Sequence, residues 1–95
     1  MKSIVYYSSH CTESMEAKKV LEEAGLAPKM EWVDVTSGMD PLRRFLKLRD
    51  EHEFFQDARK NDRVGVPTLV FGDNEILMDV EDGVPVEKVR ELLEK

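Results

Sequence analysis

The sequence predicts a small α/β sandwich with the element order β-α-β-α(α)-β-β-α, a four-stranded mixed sheet flanked by helices. Three observations carry that expectation. A β-branched and aromatic run at residues 2–7 hands over directly to a helical pattern. A second strand-like alternation at residues 30–35 is followed by a second helical stretch. Two further strand-like runs flank Gly72-Asp73-Asn74 and precede a last amphipathic segment. The 95 residues show no repeat, low-complexity stretch or linker, so residues 1–95 are expected to form one domain.

The first strand is apolar without alternation, as a strand covered on both faces should be. Ser8, Ser9 and His10 break it. A helix is expected over residues 12–24, burying Ala17, Val20, Leu21 and Ala24 at i, i+3, i+4 and i+7, with Gly25 as its stop. Lys18, Lys19, Glu22 and Glu23 form its wet face. Met30-Glu31-Trp32-Val33-Asp34-Val35 has strand periodicity, with Trp32 expected in the core. Asp40 and Pro41 are placed to start the next helix as N-cap and N1, with Leu42, Phe45 and Leu46 buried.

The helical pattern falters at Arg49-Asp50, and Asp50 with Glu53 resembles a capping box. A break there and an extra helical segment over residues 51–60 are expected, burying Phe54, Phe55 and Ala58. Residues 66–71 read as a strand, with Phe71 in the core, and residues 75–79 as its hairpin partner. Pro85 opens the last helix, whose buried face holds Val86, Val89 and Leu93. The first two strands, joined by a helical crossover, should run parallel, and the last two antiparallel.

The charge balance narrows function. Lys plus Arg total 14 against 20 for Asp plus Glu, a formal charge of −6. Such a chain repels phosphate backbones, so no nucleic-acid partner is expected. No apolar run approaches the ~20 residues of a membrane span, and the N-terminal apolar run is too short for a signal-peptide core. No membrane partner and a cytoplasmic location are the expectations. The single cysteine, Cys11, rules out an internal disulfide and a multi-thiolate zinc site. The oligomeric state stays open.

Chemistry concentrates in His10-Cys11-Thr12-Glu13-Ser14, where the first strand meets the first helix. The unpaired N–H groups of a helix start favour a thiolate at Cys11. A protonated His10 would add to that, and Glu13 opposes it by like-charge repulsion. Ser14, on the same helix face, cannot resolve a mixed disulfide, but its hydroxyl is placed to donate to the thiolate. The second feature is Gly65-Val66-Pro67-Thr68, whose X–Pro bond the sequence alone would leave trans. His52 and the basic stretch Arg43, Arg44, Lys47 and Arg49 read as solvated surface.

Together, Cys11-Thr12-Glu13-Ser14 and Val66-Pro67-Thr68 resemble the glutaredoxin family of the thioredoxin fold, the first its one-cysteine Cys-x-x-Ser motif and the second its cis-proline segment. The resemblance covers essentially the whole chain. It implies a redox thiol at Cys11, with Pro67 in cis. It also implies that the Val66 backbone pairs with the cysteinyl part of a bound peptide or glutathione, and that Asp82 holds a glutathione amine. The implied activity is monothiol thiol–disulfide exchange with mixed disulfides, with no resident cofactor. Its partners would be glutathione or another small thiol as co-substrate, or a thiol-containing protein.

The alternative is a non-catalytic binding module for a partner peptide or a shared iron–sulfur cluster. The chain also departs from the family. Ser8, Ser9 and His10 stand where a basic residue is usual, and Glu13 replaces an aromatic and faces glutathione's carboxylates with its own. Val80-Glu81-Asp82-Gly83 lacks the usual Gly-Gly. An arsenate-reductase-like reading of Cys-x-x-Ser lacks the arginines an oxyanion needs, since no Arg precedes Arg43.

Overall fold

The β-branched run near the N-terminus becomes one of the two inner strands of a four-stranded sheet. A computed structural model describes residues 2–95. Its elements are β1 (Ser3–Tyr7), α1 (Thr12–Glu23), β2 (Glu31–Asp34), α2 (Met39–Glu51), α3 (Gln56–Lys60), β3 (Thr68–Phe71), β4 (Ile76–Asp79) and α4 (Val86–Leu93). Short 3-10 turns lie at Ala27–Lys29 and Glu53–Phe55. The strand order is β2-β1-β3-β4. β1 runs parallel to β2, with Val5 opposite Trp32, and antiparallel to β3, with Val5 opposite Leu69. β4 closes the hairpin antiparallel to β3.

Because side chains alternate along a strand, β1 feeds two cores. Val5 packs with Leu21, Leu69, Phe71, Val89 and Leu92 beneath α1 and α4. Ile4 and Tyr6 pack with Val33, Phe45, Leu48, Phe55 and Val70 on the α2 side. The second core is the aromatic one: Phe45 lies 5.3 Å from Tyr6 and 5.7 Å from Phe55, the latter edge-on.

Several expectations need correction. In α1 the buried residues are Ser14, Ala17 and Leu21, while Val20 is exposed. Ala17 and Leu21 are buried as expected and Ala24 is half-buried; the stripe extends back to Ser14, whose hydroxyl serves the loop before the helix, as described below. Trp32 is half-buried rather than core. It makes an edge contact with Tyr7 at 5.4 Å, and its indole N–H donates to the Ala27 carbonyl at 2.9 Å. Lys18, expected on the wet face, lies over both rings.

α2 begins at Met39 with Gly38 at the N-cap, so Asp40 and Pro41 sit inside the first turn rather than at its edge. Both suit that place: Asp40 favours the dipole and pairs with Arg43 at 2.6 Å, and a first-turn proline forfeits no helical bond. The helix continues through Arg49-Asp50 and stops at His52. The Asp50 capping box does not form. Instead His52 Nδ1 accepts the Phe54 N–H at 3.0 Å and caps the 3-10 turn. The extra segment over 51–60 is therefore that turn plus the five-residue α3. Phe55 is buried but Phe54 is exposed.

The basic stretch is not simply solvated. Arg44 grips Glu31 with two hydrogen bonds of 2.8 and 3.2 Å. That bond from Arg44 holds the Glu31 carboxyl below its ordinary range against a smaller opposing effect of desolvation. Arg49 donates to backbone carbonyls, with consequences for the site.

Candidate functional site

The loop from β1 into α1 is fixed by hydrogen bonds that its serines make possible. The Ser8 N–H donates to Ser14 Oγ at 3.2 Å. The Cys11 N–H donates to the Ser8 carbonyl at 3.1 Å, and the His10 N–H to Ser8 Oγ at 3.1 Å. Ser8 Oγ also meets Thr36 Oγ1 at 2.8 Å. Thr36 Oγ1 donates onward to Asp34 Oδ1 at 2.8 Å, so Ser8 is the donor of the hydroxyl pair. The chain of donors ends on the carboxylate of Asp34, which also accepts the Thr36 and Ser9 N–H groups. Desolvation alone would raise the Asp34 pKa; the hydrogen bonds from Ser9 and Thr36 outweigh it and pull it from 3.8 to about 2.

Cys11 is thereby held at the N-cap of α1, in extended backbone conformation, with no side chain capping the helix. The first-turn N–H groups are left for a charge at that end. The thiol is partly exposed. Its Sγ donates to Glu13 Oε2 at 3.4 Å. Glu13 thus sets a carboxylate against any negative charge that develops on sulfur, opposing the helix end.

A cleft of about 520 Å³ opens beside the thiol. Its lining comes from two stretches of chain, Ser8, His10, Cys11 and Thr36 from the strand ends and Phe54, Phe55, Ala58, Val64 and Val66 from the segment before β3. The second wall comes from irregular chain, and arginines hold it. Arg49 Nε and Nη2 donate to the carbonyls of Val64 and Arg63 at 3.0 and 2.5 Å. Arg59 Nη1 donates to the carbonyls of Arg49 and His52 at 2.5 and 2.9 Å. Gly65 allows the close fit: its φ is +103°, and a Cβ there would lie 2.9 Å from the Phe55 ring.

The Val66–Pro67 peptide bond is cis. Pro67 itself is buried, while Val66 faces the cleft. Thr68 Oγ1 donates to the Gly65 carbonyl at 2.6 Å, tying the start of β3 to the turn before it.

The expected site residues divide accordingly. Cys11, His10, Val66 and Thr68 come together around the cleft. Thr12 lines only a shallow adjoining depression with His10, Cys11 and Met15. Ser14 is a correction: it is fully buried, and its hydroxyl serves the Ser8 amide rather than the thiol. Asp82 is another: it is exposed on a turn outside the cleft, and the acidic residues that reach the lining are Asp57, Asp79 and Glu81.

Arg63 also lines the cleft. These residues, and the two arginines behind the wall, escaped the sequence reading. One available signal was the density of arginine on either side of an irregular segment. Among the described residues no group of three or more His, Cys, Asp or Glu is placed to hold a metal ion. None of the described helices is long and apolar enough to cross a membrane.

The architecture is a thioredoxin-like fold. A crystal structure of a mutant of the thioredoxin-like protein BC3987 is similar to it, with a TM-score of 0.57 and 25% identity over 98% of this chain and 95% of that one. An uncharacterized protein of Haemophilus influenzae is 23% identical over 79 residues, 83% of this chain and 90% of its own length. No family model matches.

Proposed function

We propose that this protein is a glutaredoxin-like monothiol oxidoreductase. One observation carries the reading: a partly exposed thiol at a helix start shares a cleft with Val66, the residue before a cis proline. Among the described residues the Val66 backbone N–H and C=O have no hydrogen-bond partner, so both are free for an extended substrate.

The Cys11 thiolate attacks one sulfur of a mixed disulfide R–S–S–R′. A Cys11–S–R bond forms and R′S⁻ leaves, taking a proton from solvent. Thiolate from a second small thiol, R″S⁻, then attacks the sulfur of R, so that the disulfide R–S–S–R″ forms and the Cys11 thiolate leaves, regenerated for the next round. With Ser14 buried and without a thiol, the second step must come from outside the chain.

The test is reduction of small-molecule mixed disulfides, including that of glutathione, by wild type and Cys11→Ser. Loss of at least about a hundredfold in rate is expected for the variant, since a hydroxyl is a far poorer nucleophile at neutral pH. Equal rates would sink the catalytic claim.

A second reading, a binding module that holds a partner segment without turnover, is favoured by the Cys11–Glu13 hydrogen bond, which engages the thiol proton with a neighbouring carboxylate. Glu13→Gln separates the two. An exchange catalyst should speed up by about two- to tenfold on losing that charge. A binding module should keep its partner affinity with no turnover in either form.

A further inference from the structure

The charges lining the cleft do not balance, and they are unspent. Asp57, Asp79 and Glu81 contribute three carboxylates against the one guanidinium of Arg63. None of the four takes part in an ion pair among the described residues, whose ion pairs lie at Asp40, Glu31, Asp50 and Glu87. Asp79 accepts only a neutral donor, the Glu81 N–H at 2.9 Å. Glu13 adds a further carboxylate at the sulfur itself.

The same rim exposes apolar surface. Phe54 is 37% exposed and Val64 55%, and both line the cleft that the thiol borders. An apolar shelf beside a net-negative cleft is a poor match for glutathione, which carries two carboxylates and one ammonium.

We infer that the cleft takes a cysteine-bearing protein segment with net positive charge and an apolar side chain next to its cysteine, in preference to anionic thiols. This rests on the thiol-exchange reading above. The apolar side chain lies against Phe54 and Val64, Lys or Arg side chains meet Asp79 and Glu81, and the segment's backbone runs along Val66. The chemistry is the exchange already written: the segment's cysteine forms the disulfide to Cys11, its former partner leaves as thiolate, and an external thiol completes the cycle. The charges act on encounter and orientation, so the preference should fall with salt.

Short peptides with one Phe-Cys step test this. They would carry Lys, Gln or Glu at the flanking positions, each as the mixed disulfide with 2-mercaptoethanol, beside glutathione's own mixed disulfide. At low salt the Lys peptide should be reduced about tenfold faster than the Glu peptide and glutathione's mixed disulfide. The gap should narrow in about 0.5 M sodium chloride. It should also narrow in an Asp79→Asn, Glu81→Gln double variant, whose exposed positions leave the fold intact.

A turnover-free arm uses Cys11→Ser protein and the same peptides with Ser in place of Cys. Fluorescence anisotropy should rank their affinities in the same order. Cys11-dependent turnover with no charge preference, or with the anionic compounds favoured, overturns the inference and leaves the exchange reading intact. Charge-ranked binding without Cys11-dependent turnover of any compound overturns the exchange reading while upholding the cleft's choice of occupant. Absence of both overturns the two together.

Discussion

The two walls of the cleft are built by different physics. The thiol wall belongs to regular structure: β1 ends, three serines and a threonine tie the loop to Asp34, and α1 begins at Cys11. The facing wall has one short 3-10 turn, one five-residue helix and a coil, held by guanidinium groups that reach backbone carbonyls. One wall is specified by periodicity and small hydroxyls. The other is specified by a few long side chains whose partners lie up to fifteen residues away. Position on the first wall is robust to surface change; position on the second depends on single residues.

The contrast can be broken most sharply at Gly65. Gly65→Ala must give up a φ of +103° or press a methyl 2.9 Å from the Phe55 ring. About 2–3 kcal/mol of destabilisation is expected, since strained backbone and overpacking each cost roughly 1–3 kcal/mol. Denaturant unfolding measures it, and an unchanged midpoint would show that the wall yields freely.

A smaller effect is expected at Arg49. Arg49→Ala removes two donors to the carbonyls of Val64 and Arg63 and should cost about 1–2 kcal/mol. Hydrogen exchange should quicken over residues 61–66 while α1 amides keep their protection. Equal loosening of both walls would erase the distinction drawn here.

The thiol wall has its own, milder weakness in acid. Asp34 binds its proton more weakly folded, at about 2, than at its ordinary 3.8. Protonation therefore favours the unfolded chain. The stabilisation from Asp34 is complete above about pH 4 and disappears as the pH falls through 2. Asp34→Ala should lose about 1 kcal/mol at neutral pH, from broken hydrogen bonds at a partly exposed site. Its unfolding midpoint should also depend less on pH between 4 and 2 than that of wild type. A variant with an unaltered acid profile would place the acid sensitivity elsewhere.

Legibility in the sequence followed the same division. The sheet, α1 and α4 were readable because β-branched runs and i, i+3, i+4 spacing report burial directly, as Val5, Leu21 and Val89 illustrate. Cys11 stands out as a candidate because it falls where a strand pattern gives way to a helical one. The second wall was opaque. Arg49 looks like solvated charge until its carbonyl partners are known, and His52 looks like surface until its ring nitrogen is found capping a turn. Asp79 and Glu81 cannot be told from Asp82 in the sequence, because the exact end of β4 decides which carboxylate faces the cleft and composition does not fix that end.

The lone tryptophan draws one practical consequence from this geometry. Trp32 sits on β2, edge-on to Tyr7 and beneath the Lys18 ammonium, on the face covered by α1 and away from Phe54 and Phe55. Its intrinsic emission is a built-in optical gauge of how α1 seats on the sheet. Loosening confined to the arginine-held coil should leave that signal dark to the event, so a second, extrinsic dye near Val64 would let each half of the molecule be followed in its own colour.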